Sequence, residues 1–188
     1  MNTPSHWILN LALLGQAAAP KANGAIAVGA VLPDVPIFVF YLVAKVVYRM
    51  PERQIWSEAY YEPVWHTVVA LFHSIPLALI GLALCAWSRW RPGVIACISL
   101  VLHSLLDLPV HHDDAHRHFF PLSDYRLISP VSYWDPNHYG SAVALIELML
   151  VCAATPVVFK VLNSRLARGF VLFVDGVYLV SYCLLYIF

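Results

Sequence analysis

The sequence predicts an all-α, multi-pass integral membrane bundle of about six membrane segments, with an ordered loop capping a polar site. Three observations carry this. Of the 188 residues, 61% are hydrophobic and only 12% charged, whereas soluble domains are roughly half apolar and a quarter charged. A soluble fold of this size has too much surface to hide so many apolar side chains. The apolar residues also come in runs near the ~20 that a spanning helix needs. The alternating pattern that marks a membrane β-barrel is absent. No internal repeat divides the chain, so residues 1–188 read as one membrane-embedded domain.

The segments follow in order. Trp7 to Ala19 is short and suits a tilted or half-inserted helix, with Ser5 as its expected cap. Its lead, Met1 to Trp7, carries no Lys or Arg, so it reads as mature chain and not as a signal peptide. Pro20 to Asn23 is a turn. Ala25 to Val47 contains Pro33, Asp34 and Pro36, and must kink or break. Tyr48 to Pro63 is a polar and aromatic connection with a short surface helix expected at Glu52 to Tyr60. Val64 to Trp87, Gly93 to Val110, Ser141 to Phe159 and Gly169 to Phe188 complete the set, with a tight turn at Ser88 to Pro92.

One connection is long. His111 to Tyr139 holds Pro121, Pro130 and Pro136 together with Phe119, Phe120, Tyr125, Tyr133 and Trp134. Loops of this length are commonly functional or disordered, and the aromatic content favours order. Trp and Tyr rings prefer the headgroup level, which places the loop at the membrane interface.

Lys and Arg split six against five between the two sides, a thin lean toward a non-cytoplasmic loop of an inner-membrane protein. Net charge is zero and no basic run occurs, so nucleic acid is not an expected partner. Cys85, Cys97, Cys152 and Cys183 lie apart in apolar segments and read as packing residues.

Six of the nine histidines sit in or beside the stretch from His103 to His118 and the nearby Asp135-Pro-Asn-His138. His103 and Asp107 are i and i+4, so they share a helix face. Threading the segments back and forth brings His6, His73, His103 and Asp107 to one side of the bilayer, with Asp34 joining from mid-segment. A lone ionised group at bilayer depth costs roughly 2.5–3.5 kcal/mol on insertion scales. A shared divalent cation offsets that cost, and the donors suit Zn²⁺ first, then Mn²⁺ or Fe²⁺. His6, Asp34, His73, His103 and Asp107 are therefore the expected metal ligands. His111, His112 and His138 are the expected acid–base groups, because free imidazole titrates near neutrality. Glu147 is a fallback ligand. The blander expectations are also specific: His112, His116 and His118 as solvated loop residues, Asp175 paired with Lys160 or Arg168, and Ser74 and Ser104 bonded back to helix carbonyls.

At Pro4-Ser5-His6, Gly29-Ala30-Val31-Leu32-Pro33-Asp34, Phe72-His73-Ser74 and His103-Ser-Leu-Leu-Asp107 the chain resembles the bacterial membrane-bound metal-dependent hydrolases. The motifs, with Phe119-Phe120-Pro121-Leu122 after them, span about the first 135 residues. A more remote similarity is to zinc-dependent phospholipase C-like proteins. The chain departs from the family in lacking a second acid after Pro33-Asp34 and in carrying Val68 and Val69 where a His-Arg pair is usual. The resemblance implies a hydrolase with its metal at one membrane face, acting on a phosphoester or ester of a lipid or other amphiphile. The alternative is a non-catalytic membrane protein that binds metal structurally, assists a larger complex, or ligates haem through His73 and His103. A transporter ranks last, since only one segment is broken.

Overall fold

A computed structural model describes residues 1–15 and 22–188. The expected end of the first segment and the first half of the turn after it lie outside the described residues.

The described chain is all-helical, with no strand. Helix α1 spans Thr3–Leu14, with Pro4 in its first turn, where a missing amide hydrogen costs nothing. Its cap position is Asn2, not the expected Ser5, because Ser5 turns its hydroxyl onto Glu147. Helix α2 (Asn23–Val31) passes through a 3₁₀ turn at Leu32–Asp34 into α3 (Val35–Leu42) and a π-turn at Val43–Val47. Pro33 and Pro36 cause the break, since neither can donate into a continuous α-helical ladder. The break presents Asp34 at mid-segment. The polar connection folds as expected into a short helix, α4 (Glu52–Ser57), and a 3₁₀ turn at Ala59–Tyr61. It is not merely superficial, however: Ile55 and Tyr60 are buried against Phe40 and Ala44.

The third expected segment is two helices, α5 (Pro63–Phe72) and α6 (Ile75–Trp87), bent by 40°. In a continuous helix the Pro76 ring would crowd the Phe72 carbonyl, so the chain opens at His73 and Ser74. The Ser74 hydroxyl then caps α6 by accepting from Leu77 N at 3.1 Å, which replaces the backward bond expected of it. Helix α7 spans Arg91–Asp107, α8 Gly140–Val161 and α9 Arg165–Tyr186.

Helix α7 is central, packed against α2 and α6, while α1 lies against α2 and α8, and α9 against α8. Gly29 sets the closest approach: a Cβ there would sit 2.1 Å from Ala96 O and 2.7 Å from Ser99 Cβ. With the backbones this near, Ser99 Oγ donates to Ile26 O at 2.7 Å. A dry core of Ile8, Leu11, Ile26, Val151, Val158 and Val171 joins α1, α2, α8 and α9.

Three helical stretches are long and apolar enough to cross a membrane: Asn23–Val47, Gly140–Val161 and Arg165–Tyr186. A fourth is added if α5 and α6 count as one broken span. With 12 and 17 residues, α1 and α7 fall short of that length alone. Asp175 does not pair with Lys160 or Arg168. It accepts from Thr155 Oγ1 at 2.8 Å, while Arg168 donates to the carbonyls of Phe159 and Leu162.

Candidate metal centre

The residues singled out in the sequence reach one place by three local devices. The 3₁₀ turn carries Asp34. The α5–α6 break carries His73. The last turns of α7 carry His103 and Asp107, one above the other. All four side chains are buried, and each offers a ligand atom within 4.8 Å of the others.

Hydrogen bonding decides which nitrogen faces inward. His73 Nδ1 lies 3.0 Å from Val69 O, and His103 Nδ1 lies 2.8 Å from Ala30 O. A carbonyl only accepts, so both Nδ1 atoms carry the proton and donate. In the neutral rings each Nε2 is then a lone pair. Those lone pairs point at carboxylates: His73 Nε2 is 3.5 Å from Asp34 Oδ1, and His103 Nε2 is 3.1 Å from Asp107 Oδ2. Neither Nε2 has a hydrogen-bond partner. Acceptors facing acceptors in a buried site repel, and a cation removes the conflict. A ligating imidazole whose other nitrogen donates to a backbone carbonyl is the usual second-shell arrangement around a metal. The residues therefore fit a divalent ion.

Around the four stands a supporting ring. Asp34 Oδ2 accepts from Thr3 Oγ1 at 2.5 Å. His6 is not among the converging four. Its Nε2 lies 2.9 Å from Asp107 Oδ1 and its ring stacks on His103 at 3.6 Å, so it steadies both. Ser104 Oγ donates across to His73 O at 3.0 Å, not back along its own helix. His118 Nδ1 donates to the same carbonyl at 3.3 Å.

The long loop folds onto this end. Tyr133 N bonds to Val110 O at 2.9 Å and Ser129 N to His111 O at 3.0 Å, which turns the loop back over α7. Ile75 N bonds to His118 O at 2.9 Å, and Ser74 Oγ donates to Phe120 O. His116 and His118 are therefore buried, not solvated as expected. Burial, and for His116 the neighbouring His73 and His111 imidazoles, holds both below the ordinary histidine range, His118 at about 4. Of the three histidines expected to move protons, His111 alone reaches the cluster, with Nε2 3.2 Å from Asp107 Oδ1. Its Nδ1 donates to Asp114 Oδ2 at 2.9 Å, and Trp134 Nε1 donates to the same oxygen at 3.1 Å. Burial pushes the Asp114 carboxyl up, but the hydrogen bond and charge of His111, with the Trp134 hydrogen bond, together outweigh it and hold the group low. His112 and His138 lie elsewhere in the loop. They stack on one another at 3.6 Å, with His138 Nδ1 on Asp135 and His112 Nδ1 on Ser129 O.

A cavity of about 490 Å³ opens over the cluster. Asp34, His111 and His116 line it, and Phe38, Trp56 and Trp134 are among its aromatic walls. Sequence reading missed Asp114, His116 and Trp134 as parts of the site. The one available signal was the i, i+4 step from Asp107 to His111, which continues the α7 face past Pro109.

Compared with family models, curated proteins and solved structures, the chain matches none. Its fold and site define an all-helical protein with a buried Asp/His cluster able to hold a divalent cation.

Proposed function

We propose that this chain is a metal-dependent hydrolase of the inner membrane, a six-segment bundle in which α1 and α7 complete the spanning set. Its substrate is a phosphoester or ester of a lipid-like amphiphile. The observation that carries the reading is the pair of unpartnered Nε2 atoms of His73 and His103 turned onto Asp34 and Asp107. Zn²⁺ is the first choice for such donors, with Mn²⁺ or Fe²⁺ next.

Bound there, a divalent ion lowers the pKa of a coordinated water toward neutrality and polarises the scissile group. The protein's own part is positional. Asp34 and Asp107 supply the negative charge that retains the ion. Val69 O and Ala30 O hold the two imidazoles in their ligating tautomer. The cavity's aromatic walls accept the apolar body of an amphiphile and leave its ester at the floor. In the reaction, water oxygen bonds to phosphorus or the acyl carbon, and the ester oxygen leaves with a proton that the water gave up. The site faces the non-cytoplasmic side, on the lean of the basic residues.

The runner-up is a non-catalytic metal protein. The haem version is disfavoured by two carboxylates standing among the imidazoles where a porphyrin would have to lie. The test uses the full chain purified in detergent, with metal analysis, a visible spectrum and hydrolysis of micellar phospholipids and p-nitrophenyl (phospho)esters. The expected result is one or more tightly held ions, no Soret band, and hydrolysis abolished by His103→Ala. Bound metal without turnover of any of these substrates would hand the case to the structural reading.

A further inference from the structure

The geometry points to a second divalent-cation site, formed by Asp107, His111 and His116, with Asp107 bridging the two ions. This rests on the first ion being held as proposed above. Asp107 divides its two oxygens between different partners. Oδ2 faces His103 Nε2 at 3.1 Å and His73 Nε2 at 3.8 Å. Oδ1 faces His111 Nε2 at 3.2 Å, beside its contacts with His6 Nε2 at 2.9 Å and the Met1 amine at 2.8 Å. A carboxylate addressed to two imidazole sets, one per oxygen, has the disposition of a bridging ligand.

The second set is built as carefully as the first. His111 Nδ1 donates to Asp114, and Trp134 fixes Asp114 in turn, so the neutral ring turns its Nε2 lone pair to Asp107. His116 is only 7% exposed. Its ring is held between the two sets, its centroid 4.1 Å from His73 and 4.7 Å from His111. Ligand atoms of Asp107, His111 and His116 all lie within 4.8 Å of one another. The amino nitrogen of Met1 contacts both Oδ1 (2.8 Å) and His111 Nε2 (3.0 Å), so these acceptors already meet around one point, and an ion there displaces that contact.

Three protein ligands leave coordination positions open. His111 and His116 line the cavity, so those positions face the substrate space. His111 is on this account a ligand and not a free proton carrier. Paired ions about 3.5–4 Å apart clamp the attacking and leaving oxygens of a displacement, which favours a phosphoester over a carboxylic ester as substrate.

The test loads the full chain in detergent with Mn²⁺, counts ions per chain and records the EPR spectrum. The expected result is two ions and an exchange-coupled pair. His116→Gln and, separately, His111→Gln reduce the count to one and leave an uncoupled six-line signal. Asp114→Asn weakens only the second ion, by roughly 10–100-fold. His112→Gln, away from the site, keeps two ions and the coupling. A wild-type count of one, or two coupled ions retained in both ligand variants, overturns the second site and leaves the first standing. A count of zero overturns both.

Discussion

Two buried carboxylates near the same end of the bundle are treated in opposite ways. Glu147 on α8 is surrounded by donors: Asn2 N at 2.9 Å, Asn2 Nδ2 at 3.1 Å and Ser5 Oγ at 2.6 Å. It needs nothing further, and it pins the start of α1 so that His6 reaches Asp107. Asp107 on α7 is divided: Oδ1 accepts from the Met1 amine at 2.8 Å and lies 2.9 Å from His6 Nε2, but Oδ2 faces imidazole lone pairs at 3.1 and 3.8 Å, and Asp34 Oδ1 faces the same two rings. Burial alone therefore does not mark a metal site. What marks it is a shortage of hydrogen atoms: where acceptors outnumber donors, a cation is called for.

The largest expected effect separates the two directly. Asp107→Ala should reduce bound metal to background in elemental analysis, while Glu147→Gln should leave it within about twofold of wild type, since no ion is assigned to Glu147. Equal loss in both would erase the distinction. Next in size, an ion present at 100 times its Kd adds about 2.7 kcal/mol of stability. Chelation should then lower Tm in a detergent thermal melt by roughly 5–10 °C, in wild type and Glu147→Gln alike, with no shift in Asp107→Ala. A smaller effect belongs to Glu147 itself. Glu147→Gln turns one acceptor oxygen into an NH2 among the Asn2 and Ser5 donors and should cost about 1–3 kcal/mol, read as a lower Tm that added metal does not restore.

The smallest lies outside both regions, at Asp135. The His138 imidazole and the Asn137 amide hold its carboxyl below the usual range. Its folded value is depressed, so its contribution is present above roughly pH 3.9, the ordinary Asp value, and is lost as pH falls through the folded value. Asp135→Asn should flatten the acid limb of a Tm-versus-pH curve, with Tm at pH 7 lowered by about 1–2 °C at most. An unchanged acid limb would detach Asp135 from the stability of the loop.

Much of the site was legible because helices have a period. The step from His103 to Asp107 fixes a shared face whatever the partners, and Pro33 with Pro36 announces the break that exposes Asp34. The helical class followed from composition together with the length of the apolar runs and the absence of strand alternation. The α5–α6 break was not foreseen, because Pro76 sits in a run apolar enough to pass as one segment. The loop was legible only in outline. Nothing in its sequence period says that His116 turns inward while His112 and His138 turn away, since those directions depend on which backbone groups of α5, α6 and α7 are left open to bond it. Asp175 was misread for a similar reason: pairing by charge ignores that Thr155 is one helix away and already facing it.

The break at His73 and Ser74 has a bearing on how this protein can change. A helix interrupted there leaves its own backbone groups short of partners: His118, more than forty positions downstream, serves Ile75 N with its carbonyl and His73 O with its ring, Ser104 of α7 adds its hydroxyl to His73 O, and the Phe120 carbonyl takes the Ser74 hydroxyl. The covering segment is thus stitched into the bundle and is no interchangeable ornament. Its length and path are constrained from below, so variation in what the cavity admits is expected to arise at the opposite wall, around Phe38, Trp56 and Tyr61, where side chains can be exchanged without undoing a seam.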